Sequence, residues 1–355
     1  MTTDRDAPQH LATLGALRAD ARDLHTAYAV LRQIREGRTR KQERFFDVVL
    51  ADTTRTVRGK IWPDAAAMAT AAELQRGTVV KALFHAEDYQ GQLQLNVRNL
   101  REAADDDPDY DAETVVGAGY EAVRDVLFEH LVFDIETVPR VDKDALPPTV
   151  AASLGRHAER FDGDEAMVMG LSPHFGQVVS LAVGDGAVAP EDQQVTVFVV
   201  PPPTGLPDDL PDWMRPLSES DLLRAWWTMA AAAECVVSFN GRGFDVPFLI
   251  GRSLVLDVPA RVDLLSNRYS LRPHLDLYRA LTFGERALGP SNLDVVCWSL
   301  GIESPKETMD GAMVAPAYAR GEIQKIAEYN AHDVRATTAV FHAVRDRILR
   351  FREDW

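Results

Sequence analysis

Hydrophobic and polar positions divide the chain into stretches with different periods. Between residues 28 and 100, short apolar runs alternate with polar positions, the period of half-buried strands. They fall at about 28–35, 44–51, 56–62, 78–85 and 92–100, separated by turn chemistry such as Glu36-Gly37 and Gln90-Gly91. An Ala-rich stretch at 64–75 predicts a helix between the third and fourth runs. From 131 onward, strand-like runs at 131–137, 177–183, 194–199 and 236–239 mix with helical periods at 221–233, 245–253, 275–282, 293–300 and 323–350. Residues 1–25 read as a polar lead and then a helix over about His10 to Leu24. Residues 140–173 read as an insertion of no clear period, and the Pro-rich stretch 200–216 as a loop.

Strand-strand-strand-helix-strand-strand is the order of an OB-fold, a five-stranded barrel used for single-stranded nucleic acid. The later alternation predicts an α/β domain with a mixed central sheet. Between them, Asp105-Asp106-Asp107-Pro108-Asp109 marks an acidic linker. The predicted plan is an N-terminal extension (1–25), an OB-fold (26–103), a linker (104–118) and an α/β domain (119–355).

Charge changes this picture. The chain of 355 residues carries a net −16, which argues against nucleic acid. Yet residues 26–103 hold 13 Lys plus Arg against 9 Asp plus Glu, a net of +4, leaving −20 for the rest. No apolar run reaches the ~18 residues of a membrane span, so the expectation is a cytoplasmic protein without membrane contact. Cys235 and Cys297 stand in apolar surroundings and read as buried thiols.

Period-two alternation assigns faces to the barrel. Phe46, Val48, Leu50, Val57, Ile61, Leu93, Leu95 and Val97 point inward. Phe45, Arg58, Lys60, Trp62 and Arg98 share the outer face, where aromatic platforms among cations suit base stacking and phosphate contact. The competing reading has Phe45 and Trp62 plugging the barrel ends. Phe45-Phe46-Asp47-Val48-Val49-Leu50-Ala51-Asp52, Lys60-Ile61-Trp62 and Tyr89-Gln90-Gly91-Gln92-Leu93-Gln94-Leu95 resemble the OB modules at the front of some bacterial 3′–5′ exoribonucleases.

Gly117-Ala118-Gly119-Tyr120-Glu121-Ala122 fits a dinucleotide fingerprint but lacks the strand that must precede one. It reads as a loop entering a helix.

The chemistry lies with the acids. In Leu131-Val132-Phe133-Asp134-Ile135-Glu136-Thr137-Val138-Pro139, a buried strand carries two carboxylates at i and i+2, on one face. Side by side they repel and are costly to bury, which a cation relieves; the alternative is a strand end with two solvated acids. Asp245 follows a strand and a glycine turn, at the sheet end where α/β sites assemble. By itself it is equally a helix N-cap. Tyr329 and Asp333 are i and i+4, on one helix face. Such a set suits phosphodiester hydrolysis with two divalent ions, and hard oxygen ligands select Mg²⁺ or Mn²⁺.

Asp134-Ile135-Glu136, Asn240 with Phe244-Asp245, and Tyr329 with Asp333 resemble the tyrosine-bearing branch of the DEDD exonuclease superfamily. More closely, they resemble predicted 3′–5′ exonucleases related to the proofreading domain of family B DNA polymerases. His274-Leu275-Asp276-Leu277 and Asn292-Leu293-Asp294-Val295-Val296-Cys297 extend the similarity. The resemblance implies an RNase H-like domain with Asp134, Glu136, Asp245 and Asp333 on two metal ions, and Tyr329 positioning water. Asn240 and Phe244 would contact the terminal nucleotide, while His274 and Asp276 would shape the site. The branch with a catalytic histidine would need it at 328, which is Glu328, so His332 is excluded from that role. The implied activity is a 3′–5′ exonuclease releasing nucleoside 5′-monophosphates from single-stranded DNA or RNA, with DNA ahead. A catalytically silent docking protein and an endonuclease on the same fold are the alternatives.

Overall fold

The computed structural model describes residues 7–266, 270–282, 289–303, 309–352 and 355. It divides into two units, 1–121 and 122–355. In the first, β1 (Gln9–His10) lies parallel beside β2 (Asp20–Arg38). β3 (Arg44–Ala51) and β4 (Thr56–Ile61) follow, then α1 (Ala67–Ala71), β5 (Val79–Tyr89) and β6 (Gln92–Glu102). The order β2-β3-β4-β6-β5 closes through a β2–β5 pairing, with β4 and β6 parallel. This is an OB-fold barrel.

The inward faces are those the alternation assigns. Phe46, Val48, Leu50, Val57, Ile61, Leu95 and Val97 are buried in one cluster, with Leu93 packed at its margin. The helix expected over about His10 to Leu24 is not formed. A 3₁₀ turn at Leu14–Ala16 precedes a strand that starts at Asp20. Pairing decides this: β2 extends along β5 as far as Asp20↔Ala86, and tertiary ladders override helical period. The polar lead at 1–6 lies outside the described residues. The helix at 64–75 shrinks to α1. After the barrel, α2 (Ala112–Val115) supplies a helical turn where a dinucleotide fingerprint needs a strand, and α3 (Tyr120–Val123) follows.

The second unit begins with β7 (His130–Pro139). α4 (Pro148–Ala158) and α5 (Glu165–Gly170) give the 140–173 insertion its structure. Then come β8 (Gly176–Asp185), β9 (Thr196–Val199), β10 (Met214–Pro216), α6 (Glu219–Ala232) and β11 (Cys235–Ser238). The chain continues through α7 (Asp245–Val255), β12 (His274–Asp276), α8 (Leu277–Thr282), α9 (Leu293–Leu300), α10 (Gly311–Ala319) and α11 (Ile323–Arg347). The sheet runs β10-β9-β8-β7-β11-β12; β7, β8 and β9 are antiparallel neighbours, while β11 and β12 are parallel to β7. It is a mixed, RNase H-like sheet with helices on both faces. Among the described residues, no helix is long and apolar enough to cross a membrane.

Alternate residues of β7 enter different cores. Leu131, Phe133 and Ile135 pack with Trp226 and Trp227 of α6 and Phe248 of α7. Val132 and Val138 pack with Val334, Val340 and Phe341 of α11. Asp134 and Glu136 occupy the row between Val132 and Val138, so they face α11. An ion pair braces the opposite side. Arg252 of α7 grips Glu219 of α6 through two bonds of 2.8 Å, both side chains buried, and Glu219 also accepts the Val178 N–H.

Candidate active site

Three carboxylates converge where β7 meets α11. One oxygen from each of Asp134, Glu136 and Asp333 lies within 4.8 Å of the others. Asp333 and Tyr329 are buried one helical turn apart, and burial and then the Asp333 charge raise the pKa of the Tyr329 hydroxyl. Asp245 lies outside that triplet but acts on it. Its charge raises the pKa of both Asp134 and Glu136.

Asp245 arrives by a separate route. The register pairs β11 with β7 only over His130–Val132, which leaves the later β7 edge open. The chain turns at 239–244, and the Ile135 N–H, between the two strand acids, acts to lower the pKa of the buried Asp245 carboxylate. The turn is tight. Asn240 takes φ 61°, and a Cβ on Gly241 would lie 2.6 Å from that of Ser238.

Behind the turn stands a polar bracket that the sequence marks less clearly. Asp276 accepts the backbone N–H groups of Asn240 (2.9 Å) and Arg242 (3.1 Å). Arg242, itself buried, donates to the His274 and Leu265 carbonyls. His274 is fully buried. Its Nδ1 faces the Leu264 carbonyl at 3.1 Å, which can only accept, so Nδ1 carries the proton and Nε2 accepts from the Ser238 hydroxyl at 2.7 Å. Burial, helped by Arg242, pushes its pKa down to about 3. His274 and Asp276 thus hold the turn from β12, a strand where the sequence reads the start of a helix.

Sequence reasoning misses Ser180 and Asn330. In the β7–β8 register Glu136 faces Ser180 but Thr137 faces Val178, a bulge. Val179 packs into the α11-side core, and Ser180 accepts a 3.0 Å bond from Asn330 of α11. The bulge therefore aims both at α11 directly opposite Glu136. Such a feature has no motif; the buried polar Asn330 beside Tyr329 is its one sequence trace.

The electrostatics are those of unrelieved repulsion. Burial, then Asp245, Asp333 and Glu136, raise the Asp134 pKa well above the carboxylate range. Burial, Asp333 and Asp245 do the same to Glu136. Burial lifts Asp245 to about 7 against the opposing pull of the Asp245 and Ile135 N–H groups. Tyr329 is pushed up by burial and the neighbouring acids, so its hydroxyl keeps its proton. Glu328 and His332 are exposed.

Asn240 is exposed and Phe244 half-buried, at the mouth of the turn, with the Phe244 ring 5.6 Å from that of Phe248. In the first unit, Phe45 and Trp62 are half-buried and stand outside the core, with ring centroids 5.7 Å apart. Lys60 lies over both rings, at 4.6 and 5.6 Å, and pairs with Asp47 at 2.5 Å. Arg98 pairs with Asp64 at 3.2 Å, and Arg58 is exposed.

An acid cluster between the first strand and the last helix of an RNase H-like sheet defines a nuclease-type architecture. The chain belongs to the family described as predicted 3′–5′ exonucleases related to the exonuclease domain of PolB, whose sequence model matches residues 173–350. Asp245, Tyr329 and Asp333 fall inside that match; Asp134 and Glu136 precede it.

Three solved structures are similar to a smaller part of the chain. A replication protein A heterotrimer bound to single-stranded DNA is 21% identical over 23% of this chain and 58% of its own, with a TM-score of 0.19. The second OB domain of replication protein A from Methanococcus maripaludis is 16% identical over 26% and 94%, at 0.21. The mitochondrial single-stranded DNA-binding protein Rim1 of S. cerevisiae is 17% identical over 22% and 96%, at 0.19. No curated protein matches the chain.

Proposed function

We propose that this protein is a divalent-metal-dependent 3′–5′ exonuclease acting on single-stranded nucleic acid, with DNA ahead of RNA, and releasing nucleoside 5′-monophosphates. One observation carries the reading: the charged groups acting on Asp134 and Glu136 are all carboxylates. A site that gathers acids, with no cationic side chain acting on those two among the described residues, is built for a cation from solution. Its donors are all oxygens, which fits Mg²⁺ or Mn²⁺ and not zinc. Asp134, Glu136, Asp245 and Asp333 would hold two ions. When bound, such ions supply charge neutralisation, an acidified water and a stabilised leaving oxygen.

The rest falls to the chain. Tyr329, protonated and one helical turn from Asp333, orients the attacking water as a hydrogen-bonding group and does not serve as the base. Asn240 and Phe244 flank the terminal nucleotide, one by hydrogen bonding and the other by ring contact. The outer barrel face holds the strand by stacking on Phe45 and Trp62 and by phosphate contact with Arg58, Lys60 and Arg98. DNA is favoured because the family is related to a DNA polymerase B exonuclease domain.

The test is a 5′-labelled single-stranded oligonucleotide with Mg²⁺ or Mn²⁺. It should shorten in single steps, and Asp134→Ala or Asp333→Ala should abolish shortening while strand binding persists. Activity retained in both variants, or cleavage of a circular strand, would sink the proposal.

A further inference from the structure

The segment between β7 and β8 carries its own small core of Leu154, Ala158, Val168 and Met169. It is tied to the acid-bearing strand. Thr137 Oγ1 donates to the Gly170 carbonyl at 2.8 Å, and the Arg140 and Val141 N–H groups both reach the Phe175 carbonyl, at 2.9 and 3.2 Å. A groove of about 850 Å³ opens on this segment, lined by Arg156, His157, Arg160, Phe161, Leu171 and Phe175.

The groove differs in character from the chain that carries it. Its ionisable lining is two arginines and a histidine against one carboxylate, Glu159, in a protein of net −16. Arg156 and Arg160 are exposed, and neither has an ion-pair partner among the described residues. Phe161 is 38% exposed and its ring sits 5.6 Å from that of His157. Leu171 is 44% exposed on the same lining. Exposed aromatic surface on the same lining as unpaired guanidinium groups is the chemistry that holds a single strand without regard to sequence.

Position adds to this. β7 ends at Pro139, three residues past Glu136, or roughly 10 Å at the ~3.3 Å rise of a strand. The groove floor, Phe175, is bonded to the two residues that follow. The groove therefore stands on the segment that leaves the C-terminal end of the acid-bearing strand.

We propose that the groove formed by α4 and α5 is a second contact site for single-stranded nucleic acid, with Arg156 and Arg160 on phosphates and Phe161 and His157 stacking on bases. This deepens the exonuclease reading and rests on it for the strand's direction.

Binding of a fluorescent single strand to the full chain, followed by anisotropy in EDTA across salt concentrations, tests the site apart from hydrolysis. Each lost phosphate contact lowers the log–log salt slope by about 0.7 for single strands. Arg156→Ala with Arg160→Ala should therefore lower it by about 1.4, and Arg156→Lys with Arg160→Lys should restore it. Phe161→Ala should weaken binding about five-fold or more. The same changes, made also in a Lys60→Ala, Trp62→Ala background to unmask the groove, should raise KM for short strands more than they lower kcat. Slopes, affinities and KM values equal to those of the parent chain in both backgrounds would overturn the proposal. A parent chain that binds strands through the groove but never shortens them would instead overturn the exonuclease reading alone.

Discussion

The Asp276 carboxylate accepts the backbone N–H of Asn240 at 2.9 Å, which ties the last strand of the sheet to the turn that delivers Asp245. The same carboxylate takes the Arg242 N–H at 3.1 Å. It also accepts the Arg279 N–H at 3.4 Å, so removing it leaves three N–H groups short of an acceptor, at about 1–3 kcal/mol for each that is buried. Asp276→Ala should lower the melting temperature and cut activity together. Asp276→Asn, which keeps one acceptor oxygen, should recover part of both. An active, fully stable Asp276→Ala variant would show that the turn holds itself.

Tyr329 tests orientation against proton abstraction. Its hydroxyl retains its proton under the influence of burial and three acids. Tyr329→Phe should lower kcat by about 10²-fold, the lower end for a positioned hydrogen-bonding group, with the alkaline limb of the pH–rate profile unmoved. A limb that disappears with the hydroxyl would make the phenol the base.

Metal and pH are linked through the acids. Asp245 stands at about 7 in the folded protein against an ordinary 3.8, and Asp134 and Glu136 are raised well above their ordinary values. The folded state thus holds more protons than the unfolded one from about pH 4 upward, so metal-free stability is full below that and falls as pH rises through 7. In EDTA the melting temperature should drop between pH 5 and 8. Mg²⁺ or Mn²⁺ at a hundred times its Kd at pH 7 should recover about 2.7 kcal/mol there, near 5–10 °C for a unit of this size, and the same concentration should recover more at pH 8 than at pH 5. Asp134→Asn should shrink both effects. Melting that ignores divalent ions at every pH would remove the metal from the account.

The outer barrel face carries an internal competitor. Asp47 holds Lys60 at 2.5 Å while Lys60 covers Phe45 and Trp62. Asp47→Asn should release Lys60 to a phosphate and tighten single-strand binding about two- to five-fold at low salt, since exposed pairs are worth only ~0.2–1 kcal/mol. Trp62→Ala should weaken binding by more than that. If Asp47→Asn weakens binding, the ion pair is what presents the lysine.

Much of this was legible in the residues. The barrel strands and their faces followed from strict alternation around Val48, Val57 and Leu95. Asp134 and Glu136 stood out as i and i+2 on one strand face and Tyr329 and Asp333 as i and i+4 on one helix face, while Asp245, by itself also a helix N-cap, joined them through the family resemblance. What stayed hidden depends on partners far along the chain. The β2 extension to Asp20 exists because β5 lies beside it, and local sequence there favours a helix. β12 is three residues long, too short for a period, and is held by pairing with β11. Helix α10 carries Pro316 in its interior, which counts against a helix in any local reading. The β8 bulge that aims Ser180 at Asn330 is a property of register, which no single strand encodes.

The enclosed imidazole of His274 has one more consequence. With Nδ1 bonded to a carbonyl and Nε2 to a hydroxyl, behind the turn rather than in the acid cluster, its N–H proton is shut off from solvent. That proton should exchange slowly and give a separate low-field NMR signal across the neutral range, where the ring does not titrate. The protein thereby contains its own label for the integrity of the Asn240–Asp245 turn. An acid variant that has lost activity but kept this resonance has lost chemistry; one that has lost the resonance has lost its architecture.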